Sequence, residues 1–195
     1  MIENTHGYLE LIIGPMFSGK TSKLIEIYKQ CVFCNISVCV INHSFDTRYH
    51  NKLLSSHDKV MVPCLQAAEL NEIWTKNESL NDSDNSENNK IKQTEVFLIN
   101  EGQFFPDLYE VVLDMLKHKK IVYVCGLDGD FERKRFGQIL DLIPHSDNIT
   151  KLTSLCSLCK NGSRGIFSMR LTKEKQQTLI GSDNYIPVCR KCYKT

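Results

Sequence analysis

Tyr8-Leu9-Glu10-Leu11-Ile12-Ile13-Gly14-Pro15-Met16-Phe17-Ser18-Gly19-Lys20-Thr21 is the stretch on which the reading of this chain turns. Its first six residues are largely apolar and β-prone and run straight into glycine, the pattern of a strand buried in a parallel sheet. Gly14 to Thr21 then fits the spacing G-x-x-x-x-G-K-[ST] in full. The glycines let the backbone curl until its N–H groups converge, and a helix starting at Lys20 adds the partial positive charge of its N-terminus. A loop of this kind cradles phosphate: Lys20 reaches the β- and γ-phosphates and Thr21 offers a hydroxyl to Mg²⁺. Leu24, Ile25, Ile27 and Tyr28 stripe one face of the helix, expected over about residues 20–33.

Outward from this unit the same alternation continues. Strands are expected at 37–42, 96–99 and 121–125, the last ending at Gly126. Pro106 marks a helix start, and Leu108, Val111, Val112, Met115 and Leu116 share one face beyond it. Strands alternating with helices imply an α/β fold, a mostly parallel sheet with helices on both faces, whose ligands sit beyond the carboxyl ends of the strands. Residues 75–94 are dominated by Asn, Ser, Asp, Glu and Lys. With so little apolar surface to offset ordering entropy, the stretch reads as a disordered insertion within the domain.

At 195 residues the chain suits one α/β domain, 1–150, with a small appendage, 151–195. A formal net charge of +1, spread in both signs, gives no basic stripe for nucleic acid. The short basic clusters at 117–120 and 133–135 read as solvated faces. No apolar run is long enough to span a bilayer and the first residues show no secretory pattern, so a soluble, cytoplasmic protein without membrane contact is expected.

Nine cysteines in such a chain point to metal binding or burial. Cys156-x-x-Cys159 and Cys189-x-x-Cys192 form two knuckles, and four thiolates close a tetrahedral structural zinc site. The long segment between them, through Ile180 to Tyr185, reads as a loop held at both ends by the metal. Cys31-x-x-Cys34 has no partner pair, while Cys39, Cys64 and Cys125 read as core. The expected strand Val96–Ile99 ends at Asn100-Glu101. A carboxylate there, at the edge of the phosphate site, is placed to act as general base.

Together these blocks closely resemble the cytosolic (type II) thymidine kinase family. The resemblance rests on Gly14 to Thr21, Asp46-Thr47-Arg48-Tyr49, His57-Asp58, Glu101-Gly102-Gln103-Phe104-Phe105, Gly126-Leu127-Asp128-Gly129-Asp130-Phe131, Phe136-Gly137 and Val188-Cys189-Arg190-Lys191-Cys192-Tyr193. It implies a RecA-like P-loop domain and a zinc domain carrying a lasso loop. It places Asp46, Thr47, Arg48, Asn100, Glu101, Gly102 and Gln103 around ATP with Gly14, Pro15, Met16, Phe17, Ser18, Gly19, Lys20 and Thr21. Arg48 and Lys20 would stabilise the transferring group and Glu101 would activate the 5′-hydroxyl. Phe104, Leu127, Phe131, Phe136 and Met16 would wall the pyrimidine. The lasso, Gln176, Gln177, Thr178, Leu179 and Ile180, would read the base, with Tyr185 near the sugar. The resemblance further implies transfer to thymidine and deoxyuridine, a homotetramer and feedback by dTTP.

Two departures stand out. The family usually has Asp where this chain has Asn100, which implies weakened Mg²⁺ dependence. It often has paired glycines where this chain has Ile180-Gly181. From the residues, a nucleic-acid-dependent P-loop ATPase and a non-catalytic nucleotide-binding protein remain as alternatives.

Overall fold

The computed structural model describes residues 6–45, 53–56, 58–74, 86–179 and 181–193. Elements follow in the order β1 (Tyr8–Ile13), α1 (Lys20–Phe33), β2 (Val38–His43), β3 (Leu53–Ser55), β4 (Met61–Pro63), β5 (Leu65–Ala67), α2 (Asn71–Trp74), α3 (Ser86–Gln93), β6 (Val96–Asn100), α4 (Leu108–Lys117), β7 (Ile121–Gly126), β8 (Asn148–Lys151), β9 (Ser154–Leu155), β10 (Arg164–Gly165), β11 (Phe167–Arg170) and β12 (Tyr185–Val188). Six strands form one sheet in the order β5-β2-β6-β7-β1-β8, and every pair within it is parallel.

Side-chain alternation along the strands divides the core. Leu9, Leu11 and Ile13 of β1 join Phe97 and Ile99 of β6 beneath Leu108, Val111, Val112 and Met115 of α4. Ile12, Val40, Leu98 and Cys125 face the other way, against Leu24, Ile25 and Ile27 of α1. The sheet is thus covered on both faces by the two helical stripes legible in the sequence. Cys39, Cys64 and Cys125 are buried as expected; Cys31 is buried as well, whereas Cys34 is exposed.

Three local expectations need revision. Pro106 lies before the N-cap Asp107 and not inside α4. The Asp107 carboxylate accepts instead from the Leu70 and Asn71 amides at 3.0 and 2.8 Å, tying the start of α2 to α4. Residues 86–93 of the polar stretch are helical, while 75–85 lie outside the described residues. Ile91 packs on the core and Thr94 is buried. Lys120, expected as part of a solvated cluster, donates 2.7 and 2.8 Å bonds to the carbonyls of Lys92, in the last turn of α3, and Thr94, just past it. Composition hid these contacts because one apolar anchor and one lysine supply them.

The sheet closes at β8, whose last residue, Lys151, pairs with Ile13. Beyond it, β9 to β12 form two small antiparallel pairs that carry the cysteine knuckles. Among the described residues no helix is long and apolar enough to cross a membrane.

Candidate active site

At the carboxyl ends of the strands, the turn from β1 into α1 builds one wall of a pocket. Gly14 is required by close approach: a Cβ there would stand 2.4 Å from the Leu152 carbonyl oxygen. Phe17 and Gly19 adopt left-handed backbone, φ 61° and 84°, curling the turn over the N-terminus of α1. The curl buries the Ser18 hydroxyl without a hydrogen-bond partner among the described residues. Lys20 folds back so that Nζ donates 2.7 Å to the Pro15 carbonyl, and Thr21 donates to Asn100 Oδ1 at 3.4 Å. N–H groups of a helix start, a lysine and a hydroxyl are the donor set that an anion requires.

The end of β6 supplies the acid. Glu101 is itself left-handed, φ 55° and ψ 41°, a conformation that costs a non-glycine residue free energy and is found at functional turns. Gln103 holds it in place: Nε2 donates 2.7 Å to Glu101 Oε2, while Oε1 accepts from the Leu127 amide at 3.0 Å. Gly137 backs this bracket with φ 61°, and a Cβ there would stand 2.1 Å from the Gln103 carbonyl. One glutamine therefore fixes the carboxylate relative to the end of β7.

Apolar side chains line the rest. Phe104 meets Phe136 edge-on at 5.4 Å and Phe45 at 6.0 Å; Leu127 and Phe131 complete this side. His43, buried beneath Phe45, Phe104 and Phe105, faces the Ala68 carbonyl through Nε2 and accepts the Phe45 amide through Nδ1. Burial holds its pKa below the ordinary 6.5. The opposite wall is the segment between the knuckles, with Gln177, Thr178, Leu179, Gly181 and Tyr185 in the lining.

Of the residues singled out in the sequence, Met16 to Thr21, Glu101, Gln103, Phe104, Leu127, Phe131, Phe136, Gln177, Thr178, Leu179 and Tyr185 meet around this one pocket. Gly14, Pro15, Asn100, Gly102 and Gln176 lie outside its lining. Asp46, Thr47, Arg48 and Ile180 lie outside the described residues. Sequence reasoning missed Phe45, Ser55, Asp130 and Ser168. Ser168 accepts the Met16 amide at 2.9 Å. Asp130 accepts from the amides of Glu132 and Lys134 and from Gln177 Nε2, at 2.9, 2.9 and 2.8 Å. The Asp130 signal was available in Gly129-Asp130-Phe131; nothing around Ser168 distinguishes it.

Cys156, Cys159, Cys189 and Cys192 converge with all four sulfurs within 4.8 Å of one another. Cys159 Sγ lies 3.6 Å from Cys189 Sγ and 3.2 Å from Cys192 Sγ, near the ~3.8 Å edge of a tetrahedron with ~2.3 Å metal–sulfur bonds. Backbone N–H groups, chiefly that of Cys159, bring the Cys156 thiol down to about 6. The four thiols fit a metal ion such as zinc. This cluster is joined to the pocket: Tyr193 OH donates to the Phe131 carbonyl, and the Arg133 guanidinium lies 4.4 Å over the Tyr193 ring.

A parallel α/β sheet with an amide-rich turn, a bracketed carboxylate and an aromatic pocket at its strand ends suits a nucleotide-dependent phosphotransferase. The comparisons make the class specific. The thymidine kinase family model matches residues 7–193. The chain is 41% identical to the thymidine kinase of vaccinia virus (strain Ankara) over 189 residues, 96% of this chain and 97% of that one. It is 38% identical to that of sheeppox virus (strain KS-1), over 96% and 97% of the two chains. It is 37% identical to thymidine kinase a of Arabidopsis thaliana, over 97% of this chain and 76% of that one. The chain belongs to the thymidine kinase family.

Proposed function

We propose that the chain transfers the γ-phosphoryl group of ATP to the 5′-hydroxyl of thymidine, and of deoxyuridine, by direct in-line displacement. The observation that carries this reading is the placement of Glu101 between the amide-rich turn and the aromatic pocket, bracketed by Gln103. The Gly14 to Thr21 turn acts as a P-loop, with its amides and Lys20 on the phosphates. Thr21 would hold the magnesium that comes with ATP, the Asn100 amide oxygen would accept from a water bound to that ion, and the ion would supply positive charge there. Phe104, Leu127, Phe131 and Phe136 sandwich the flat base, and the 176–180 lasso closes over its edge. The bond from O5′ to the γ-phosphorus forms as the bond to the β,γ-bridging oxygen breaks. ADP leaves, and the 5′-hydroxyl proton passes to Glu101. Positioning and charge stabilisation supply most of the acceleration, and Arg48 adds charge from the segment after β2.

Zinc at the four cysteines serves as structural support for the lasso. The 1–150 and 151–195 division, a homotetramer, dTTP inhibition and a cytoplasmic location belong to the same reading. Family membership and the absence of a basic stripe both favour it over a nucleic-acid-dependent ATPase. Proton-coupled phosphorus NMR of the product tests the chemistry. A phosphorus coupled to the two 5′ protons is expected; coupling to the single 3′ proton overturns the assignment of Glu101 to the 5′-hydroxyl.

A further inference from the structure

We infer that Arg170 is a positioning residue for nucleoside binding, the group that sets the two walls of the pocket relative to each other; this rests on the function proposed above. Arg170 ends β11, is 8% exposed, and takes part in no ion pair among the described residues. A buried guanidinium without a carboxylate is costly unless its donors are satisfied. Here all five N–H donors have acceptors. Nη1 donates to the carbonyls of Glu174 and Gln176, at 2.9 and 2.5 Å. Nη2 donates to the Gln177 carbonyl at 3.0 Å and to Tyr185 OH, which also accepts from Nε at 3.2 Å. Tyr185 OH in turn donates to the Leu179 carbonyl at 3.3 Å.

Four carbonyls of one otherwise exposed segment are therefore held by one fork and one phenol. The face of the same guanidinium lies 3.7 Å from the centre of the Phe131 ring, on the opposite wall. Gln177 adds a second tie, donating to Asp130 and to the Arg135 carbonyl at 2.8 and 3.0 Å. The planar fork is what the geometry uses. Lysine keeps the charge but has neither five donors nor a flat face to stack on a ring.

Arg170→Lys and Arg170→Met test this on the full chain. Hydrogen bonds to a charged group carry enough free energy that the thymidine KM is expected to rise about tenfold. The kcat should change less than about threefold and the ATP KM less than about twofold, because the groups Arg170 holds are Tyr185, the Phe131 ring and the carbonyls of Glu174, Gln176 and Gln177. Trypsin cleavage after Lys173 or Lys175 should accelerate, and metal content of the lysine variant should stay at the parent value. A lysine variant with parental thymidine KM and parental cleavage overturns the inference. So does one that loses kcat, ATP affinity and metal together, since that marks a purely structural role. The protease arm needs no nucleoside: if the parent protein phosphorylates no thymidine, the proposed function fails, while the cleavage rates still decide whether Arg170 holds the segment.

Discussion

The Thr21 hydroxyl stands 3.4 Å from Asn100 Oδ1. That oxygen faces Thr21 because the amide nitrogen of Asn100 donates 2.9 Å to Asn42 Oδ1, behind the site. Asn42 thus orients a neutral oxygen where the family usually has a carboxylate. Asn100→Asp adds a negative charge beside the hydroxyl offered to magnesium, an attraction of roughly 1 kcal/mol near a protein surface after screening. We expect the Mg²⁺ concentration for half-maximal activity to fall about fivefold, read from initial rates across a Mg²⁺ titration. An unchanged midpoint contradicts the role given to Asn100.

Glu101→Gln removes the proton acceptor and keeps the shape. The kcat should drop by about 10²- to 10⁴-fold, the usual worth of a positioned base, with ATP binding by calorimetry close to the parent value. Near-normal turnover would mean that the hydroxyl needs no base from β6.

Cys159→Ser breaks the cluster at the sulfur that lies 3.6 and 3.2 Å from two of the others. Bound zinc, measured by atomic absorption, should be lost, and the unfolding midpoint should fall, because metal binding to such a site is folding free energy. Through Tyr193 and the Phe131 carbonyl, thymidine affinity should fall with it. Retention of a full equivalent of zinc would remove Cys159 from the ligand set.

His43 gives the fold a pH dependence with a defined sign. Its ring accepts the Phe45 amide through Nδ1 and faces a carbonyl through Nε2, so the buried form is neutral. Burial lowers its pKa, against the opposing pull of the Ala68 carbonyl, Glu101, Glu72 and Asp107. In the unfolded chain it protonates near 6.5; the folded form resists until lower pH. This stability is complete above about 6.5 and is lost as pH falls towards the folded value. The unfolding midpoint of the parent should therefore drop more than that of His43→Gln between about pH 7.5 and about 5.5. Parallel curves would show that His43 does not carry the effect.

The sheet was legible because its central strands are continuous apolar runs, and α1 and α4 because their stripes recur at helical spacing. β3, β4, β5 and β8 were not. They are three or four residues long, and β8 reads Asn-Ile-Thr-Lys, so its place beside β1 is a tertiary fact. The same holds at the site. Lys20 and Glu101 announce themselves by spacing and by position at strand ends. Arg170 and Ser168 lie in a short β-strand among ordinary residues, and their partners are 4 to 15 and 152 positions away. Bonds to backbone carbonyls and across the fold leave no pattern of residue types to read.

Phosphate transfer from ATP to a panel of nucleosides, with Mg²⁺ present and zinc intact, tests the central claim most directly. The account predicts transfer to thymidine and deoxyuridine, with little to purine nucleosides. A folded, ATP-binding protein that phosphorylates no nucleoside would contradict it.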